Sequence, residues 1–533
     1  MKKIFLTLSL MLSGVALYAQ DIYKAETFSS EDLNGTARYV GMGGAMGALG
    51  ADLSVMGSNP AGIGLYRKND VSLTGSVIGQ PTNAKIASGD KTKGSFDQAG
   101  IVVVTQLQSD AVKFLNFGFN YQKRKNFKNF IGLDNIALGG LSQSMEAANL
   151  ASMYGRDNYS NDYVPIADVA YNTYMFDPIY DAQGNVVDWN PSQAQSYDYQ
   201  RLWSGGIQQY DFNISMNVRD KMYFGISAAI YNLKWESDVL YGEQLIEAGS
   251  AQTHPYYMSN HEYVDGVGVD FKFGAIFRPI EESPFRFGVA LTTPTFYDLS
   301  GSGSLYMLSP YQNISSTGAV LSETTEAGYN TGYDIRIRTP WKVNLSLATT
   351  IGTKVALGAE YEARFMHTAS IGYPDNYNYD WGFSSISADK ALNSEIDRYT
   401  NTVHTFKVGA EAQVLPNFFL RAGYNYVSAP FKKDAILNYW PEEGTNHFES
   451  ESAYNAVGTD FVNLKGINRI TCGLGYRGKH IYGDVAFQYQ NQKADFYPFH
   501  LPSSDTNYRT NSLRPQTLDL KRYNVMFTLG YRF

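Results

Sequence analysis

Alternation with a period of two residues is the feature that most limits what this chain can fold into. From Arg522 to Phe533, Tyr523, Val525, Phe527, Leu529, Tyr531 and Phe533 fall on one face of an extended strand. Asn524, Thr528, Gly530 and Arg532 fall on the other. The same rhythm sets Tyr210, Phe212, Ile214 and Met216 against Gln209, Asp211, Asn213 and Ser215, and Val343, Leu345 and Leu347 against Lys342, Asn344 and Ser346. About fourteen such segments follow one another, an even number of the kind bacterial barrels use. Short turns (Ser109-Asp110, Arg219-Asp220, Gly352, Pro416, Gly478) alternate with long loops rich in Tyr, Asn and Ser. A soluble sandwich has no reason to keep that parity. A membrane barrel does, because its turns are short on one side and its loops long on the other. The expected fold is all-β: a transmembrane antiparallel β-barrel of about fourteen strands, with one face of each strand toward lipid and the other toward a polar lumen.

Composition agrees with that class and removes others. Aromatics make up 14% of the 533 residues, yet mean hydropathy is slightly negative, as expected when only every second residue meets hydrocarbon. A net charge of -8 argues against nucleic acid as a partner. Cys472 is the only cysteine, so no disulfide framework and no cysteine metal site is expected. Lys2 and Lys3, the apolar run Ile4 to Leu17 and the exit Tyr18-Ala19-Gln20 read as a signal peptide over 1–19. The chain is thus expected in the outer membrane of a Gram-negative cell, with both termini periplasmic.

Between the signal and the first strand lies Gly35 to Leu65, dense in Gly and Ala and ending in Asn59-Pro60-Ala61. Small residues let chain segments approach closely, as a plug inside a barrel requires. Pro60 fixes its own φ and biases Asn59 toward extended backbone, leaving the Asn59 amide free to bond to backbone. Residues 20–66 are read as an N-terminal hatch, with Gly43, Gly44, Asn59, Pro60 and Ala61 as its gating residues, and 67–533 as the barrel. Within the long loop 126–205, Ile131 to Tyr154 carries apolar residues such as Leu141, Met145 and Leu150 at helical spacing, so a helix is expected there, interrupted at Gly139-Gly140.

The hatch segment with Asn59-Pro60-Ala61, the unit Gly274 to Pro294, Thr339-Pro340-Trp341, Leu420 to Pro430 and the Phe-terminated last strand together resemble the FadL/TodX family of outer-membrane transporters of hydrophobic compounds. That resemblance implies a monomeric barrel closed by its hatch, passing a hydrophobic, fatty acid-like small molecule without energy input. It also implies contact with outer-membrane lipid and recognition of the last strand, Tyr531 and Phe533, by the barrel-assembly machinery.

Other chemistries find little to stand on. Gly41 to Gly47 misses the spacing of a phosphate-binding loop and no strand precedes it. The seven histidines are dispersed, so a haemin receptor has no paired axial ligands to point to. No Ser and His can be placed together as a hydrolase would need, and no catalytic residue, metal site or cofactor is expected. Lumen charges such as Asp211, Glu360, Glu362, Arg364, Arg421 and Asp484 are expected to form a network that stiffens the wall. The rival from another class is a non-transporting surface barrel, an adhesin whose loops bind host or partner molecules. An apolar chamber above the hatch would separate the two.

Overall fold

The computed structural model describes residues 22–81, 92–154, 164–246, 252–280, 282–311, 313–314, 320–322, 324–378, 383–435, 457–501 and 512–533. The signal peptide expected over 1–19 lies outside the described residues. The wall begins with β1 (Asp70–Gly79), β2 (Thr92–Gln106), β3 (Val112–Asn126) and the short β4 (Asn129–Ala137), while β5 (Phe176–Tyr180) and β6 (Val186–Pro191) pair only with each other. It continues through β7 (Gln193–Val218), β8 (Met222–Ile246), β9 (Thr253–Phe277), β10 (Arg286–Thr292) and β11 (Phe296–Ser309). A two-stranded loop ladder, β12 (Asn313–Ile314) and β13 (Val320–Ser322), precedes β14 (Thr325–Arg338), β15 (Lys342–Ile351), β16 (Val355–Arg364), β17 (Ser370–Asn378) and β18 (Phe383–Ala388). The last five strands are β19 (Val403–Leu415), β20 (Phe418–Val427), β21 (Phe461–Arg477), β22 (Ile481–Tyr497) and β23 (Gln516–Arg532).

Fourteen antiparallel crossings close into a barrel where β23 pairs with β1, Leu529 opposite Leu73. Four neighbouring crossings are each made in two pieces. The breaks are Thr293-Pro294-Thr295 between β10 and β11, Thr339-Pro340-Trp341 between β14 and β15, a turn at Met366–Thr368 between β16 and β17, and α5 (Lys390–Tyr399) between β18 and β19. Pro294 and Pro340 have no N–H for the ladder. The backbone is satisfied across the break instead, as Thr339 N donates to Thr295 O at 3.0 Å and Thr295 N to Thr339 Oγ1 at 2.7 Å.

Alternation sorts the side chains as the period requires. Phe212, Ile226, Phe271, Leu345, Val408 and Phe527 are exposed on the outer face, while Asp211, Ser227, Lys272, Asn344, Lys407 and Thr528 are buried inside. In water the outer face would be a very large unpartnered apolar surface; in a bilayer it is the lipid belt. Tyr531 and Phe533 stand on that face with ring centroids 5.8 Å apart. The wall is tall on the long-loop side: β8 has 25 residues, where about 9–11 cross the hydrocarbon.

The helix expected over Ile131 to Tyr154 is only half correct. Its first part is β4, which pairs with the extended β7 and places Ile131 in the core. Gly139 and Gly140, with φ of 64° and 94°, turn the chain into α3 (Gln143–Tyr154). The apolar spacing in 131–137 serves a strand face because an unpaired edge of β7 was available to it. A second helix, α4 (Pro165–Asn172), and the β5–β6 hairpin complete a cap whose apolar core includes Leu150, Ile166, Phe176, Tyr199 and Phe496.

Candidate functional site: hatch and lumen chamber

Residues 22–66 lie inside the barrel, with α1 (Ile22–Ser29) toward the long loops and the remainder below it. The first described helix packs against the barrel's interior aromatics. The hatch is braced by its own polar groups. Thr36 caps α2 (Ala37–Gly41) and its hydroxyl also donates to Asp52, which in turn caps the 3₁₀ turn Leu53–Gly57. Asn59 is fully buried and caps the next turn, Pro60–Leu65, its Oδ1 accepting from Ala61 N at 3.2 Å. The Pro60 carbonyl accepts from Ser215 Oγ at 2.8 Å, which ties the tripeptide to the wall.

Both expected glycines sit where their conformation and the space demand them. Gly43 and Gly44 have φ of 62° and 79°, and Gly43 lies against β19 and β20. The wall meets them with glycines of its own, which sequence reading missed. A Cβ on Gly423 would lie 2.2 Å from Gly43 N, one on Gly409 2.3 Å from Met42 O and one on Gly358 2.1 Å from Ala45 O. Across the lumen, Gly225 and Gly274 face Pro60 and Asn59 in the same way, at 2.5 and 2.2 Å. The signal was present in the sequence as glycines at inward positions of strands, where they mark close approach of another backbone.

The expected lumen network exists, but much of it ties hatch to wall. Arg38 of the hatch makes a two-pronged bond to Glu411 at 2.8 and 3.0 Å; Arg421 joins Glu411 at 2.6 Å and Asp484 at 2.7 Å. Glu360 accepts from Gly47 N at 2.9 Å and from Lys407 at 2.7 Å, and Arg364 reaches Glu26 at 2.9 Å. Asp211, by contrast, is a wall residue, facing Lys272 at 3.4 Å. At the top of the hatch, Glu31 pairs with Arg124 and Lys342, and Asp32 with Arg522 at 3.2 Å and Asn126 N at 2.9 Å. Burial alone would raise both carboxyls. Arg124, Lys342 and Arg364 instead hold Glu31 well below the usual range, and Lys125, Arg522 and Arg469 bring Asp32 down to about 2.

Above the hatch is a chamber of about 210 Å³. Tyr23, Phe127, Trp203, Trp235, Phe431 and Phe461 supply its aromatic lining. Its charged lining is Lys24, Lys125, Lys128, Arg201, Lys521 and Arg522 against Asp32, Glu262 and Asp460, a surplus of cations. The Arg201 guanidinium lies 4.1 Å over the Trp203 ring and 3.1 Å from Asp460. A smaller polar cavity of about 120 Å³ adjoins it below, between the hatch and β16, β19 and β21, sharing Ser30, Asp32 and Lys125. None of the chamber residues was singled out from sequence, because they come from the hatch, six or more strands and a loop at once.

No histidine lines either cavity among the described residues. Among those residues, one grouping has three side chains able to hold a metal, Glu236, Asp238 and His261. It lies on the opposite face of β8 from Trp235 and Val239, away from the chamber. Tyr531 and Phe533 are exposed on the lipid face, where Phe533 N donates to Asn69 O at 3.2 Å.

No family model matches this sequence, and no curated protein matches it. Solved structures do. The chain is similar to the Ralstonia pickettii toluene transporter TbuX at 14% identity, over 94% of this chain and 99% of that one, with a TM-score of 0.46. It is similar to the Pseudomonas putida toluene transporter TodX at 14% identity, over 94% and 99%, with a TM-score of 0.47. A Pseudomonas aeruginosa FadL homologue matches at 13% identity, over 94% and 99%, with a TM-score of 0.49.

Proposed function

We propose that this chain is an outer-membrane channel for passive uptake of hydrophobic small molecules, long-chain fatty acids among them, gated by its N-terminal hatch. The observation that carries the reading is a chamber lined with aromatics on the long-loop side of a hatch that fills the lumen beneath it. Such a chamber gains about 0.8 kcal/mol for each CH₂ it takes from water, so binding needs no energy input. Its surplus of cations suits a carboxylate at one end of the molecule. Gly43, Gly44, Asn59, Pro60 and Ala61 are the residues whose contacts must loosen for the lumen to open. Short turns and Phe533 would then face the periplasm, the monomer would present its belt to lipid, and Tyr531 and Phe533 would be available to the assembly machinery.

A surface barrel without transport has no use for an aromatic chamber, and a haemin receptor would want a histidine within it. Mass spectrometry of molecules that co-purify with the detergent-extracted protein tests the reading. Recovery of fatty acids or other apolar small molecules is expected, and their loss in Trp235→Ala would place them in the chamber. Recovery of haem alone, or of nothing apolar, would overturn it.

A further inference from the structure

Arg201 of β7 lines the chamber and is only 6% exposed, so its charge is spent inside the molecule. Two neighbours hold its guanidinium in place. The Trp203 ring covers it at 4.1 Å, and Asp460 accepts from Nη1 at 3.1 Å. Asp460 engages that one nitrogen, and the same oxygen also accepts from Tyr199 at 2.6 Å. A guanidinium has five donors, so these neighbours do not use up the fork. The chamber's acids, by contrast, are each taken by two donors. Glu262 accepts from Lys24 and from Tyr333 at 2.6 Å, and Asp32 from Arg522 at 3.2 Å and Asn126 N at 2.9 Å. An arriving carboxylate therefore meets neutralised acids, a surplus of cations and a fork able to take both its oxygens.

The apolar side of the same chamber is built of rings. Trp235 stands edge-on to Trp203, centroids 5.7 Å apart at 70°, and Trp203 Nε1 donates to Ser237 Oγ at 3.0 Å, which fixes the pair. From the hatch, Tyr23 packs against Phe431 at 4.8 Å and Phe461 at 5.6 Å. A ring entering here can stack or meet an edge, which an acyl chain cannot do. Size limits the guest further. A dry cavity of about 150 Å³ takes benzene, and about 210 Å³ adds the volume of roughly two waters, enough for a short acid arm. Below the chamber the lumen is charged, with Arg124, Arg364, Lys407 and Arg469 around the lower cavity, so a long tail finds no apolar room in that direction.

We propose that the chamber is a site for compact aromatic carboxylates of the arylacetate kind, with the carboxylate on the Arg201 fork and the ring against the Trp203–Trp235 pair. Arg201 then selects for charge and Trp235 for the ring. Trp203 is a positioning residue, since it holds the guanidinium flat through its own bond to Ser237. This narrows the channel reading to one class of molecule. Passage of that molecule rests on the channel reading, whereas its binding does not.

Equilibrium dialysis of the full-length protein in nanodiscs against radiolabelled phenylacetate, octanoate and methyl phenylacetate tests the site, with empty nanodiscs as the baseline. The three probes are close in size and differ in ring or charge. The wild type should bind phenylacetate about tenfold more tightly than either of the others. Arg201→Met should weaken phenylacetate about tenfold and leave the neutral ester unchanged, and Trp235→Leu should weaken both ring compounds and leave octanoate unchanged. Should Arg201→Met fail to fold, Arg201→Lys keeps the charge without the fork and should still weaken phenylacetate; the wild-type comparison needs no variant. Octanoate or the ester binding the wild type as tightly as phenylacetate, or phenylacetate binding unchanged in the Arg201 variant, would overturn the proposal. Uptake of the same probes into proteoliposomes separates the two readings. Arg201-dependent binding without uptake removes the channel and leaves the site, and uptake of all three at one rate overturns the site and leaves the channel.

Discussion

Gly423 and Gly43 face each other across a close contact between wall and hatch, with no room for a methyl group. Gly423→Val should therefore wedge the hatch away from β20, destabilising the barrel by about 1–3 kcal/mol. Steady ion conductance in planar bilayers should rise. Ile470→Ala, on the lipid face, is the control and should leave conductance unchanged. Asn59→Ala removes the cap of the Pro60–Leu65 turn and should cost about 1 kcal/mol, read as earlier loss of the compact band on heated gels. Of these residues, Asn59-Pro60-Ala61 and Gly43-Gly44 were legible in the sequence because they are adjacent in it. Gly423, Gly409 and Gly358 were not. Each is one glycine in an otherwise ordinary strand, and only closure of the barrel shows what it faces.

The elements that hold the hatch are charged, and their geometry decides how they respond. Arg421 is fully buried between Glu411 and Asp484, so Arg421→Met leaves two carboxylates in the lumen with less compensation. Breaking a buried pair in this way costs about 3–5 kcal/mol, and the variant should leak ions more than Arg477→Met at the rim. Asp32 responds to acid. Its lowered carboxyl contributes stability above its ordinary value of 3.8, and the contribution is lost as pH falls through about 2. Conductance should stay low from neutral pH to about pH 4 and rise only in stronger acid, whereas Asp32→Asn should leak at neutral pH. Among the elements, the crossings were legible because lipid forces a strict alternation on each of them. β4 was not, since 131–137 has the spacing of a helix face and the edge of β7 that claims it lies at 196–201, far along the sequence. The breaks at Pro294, Pro340 and Met366–Thr368 were missed for a related reason: a strand in two pieces still reads as one alternating run.

At the scale of the molecule, a lipid-facing barrel encloses a lumen filled by 22–66, with a chamber above it. Parity of turns and loops made the barrel readable, and the small residues before it made the hatch readable. The chamber was not, because its walls are drawn from every part of the chain. On the proposed reading the hatch, and not the width of the barrel, closes the pore. Conductance of the wild type and of a variant lacking residues 22–66, both shown to be folded by heat-modifiable migration, tests it most directly. The wild type should be nearly silent and the deletion should conduct steadily; equal conductance of the two would contradict the account.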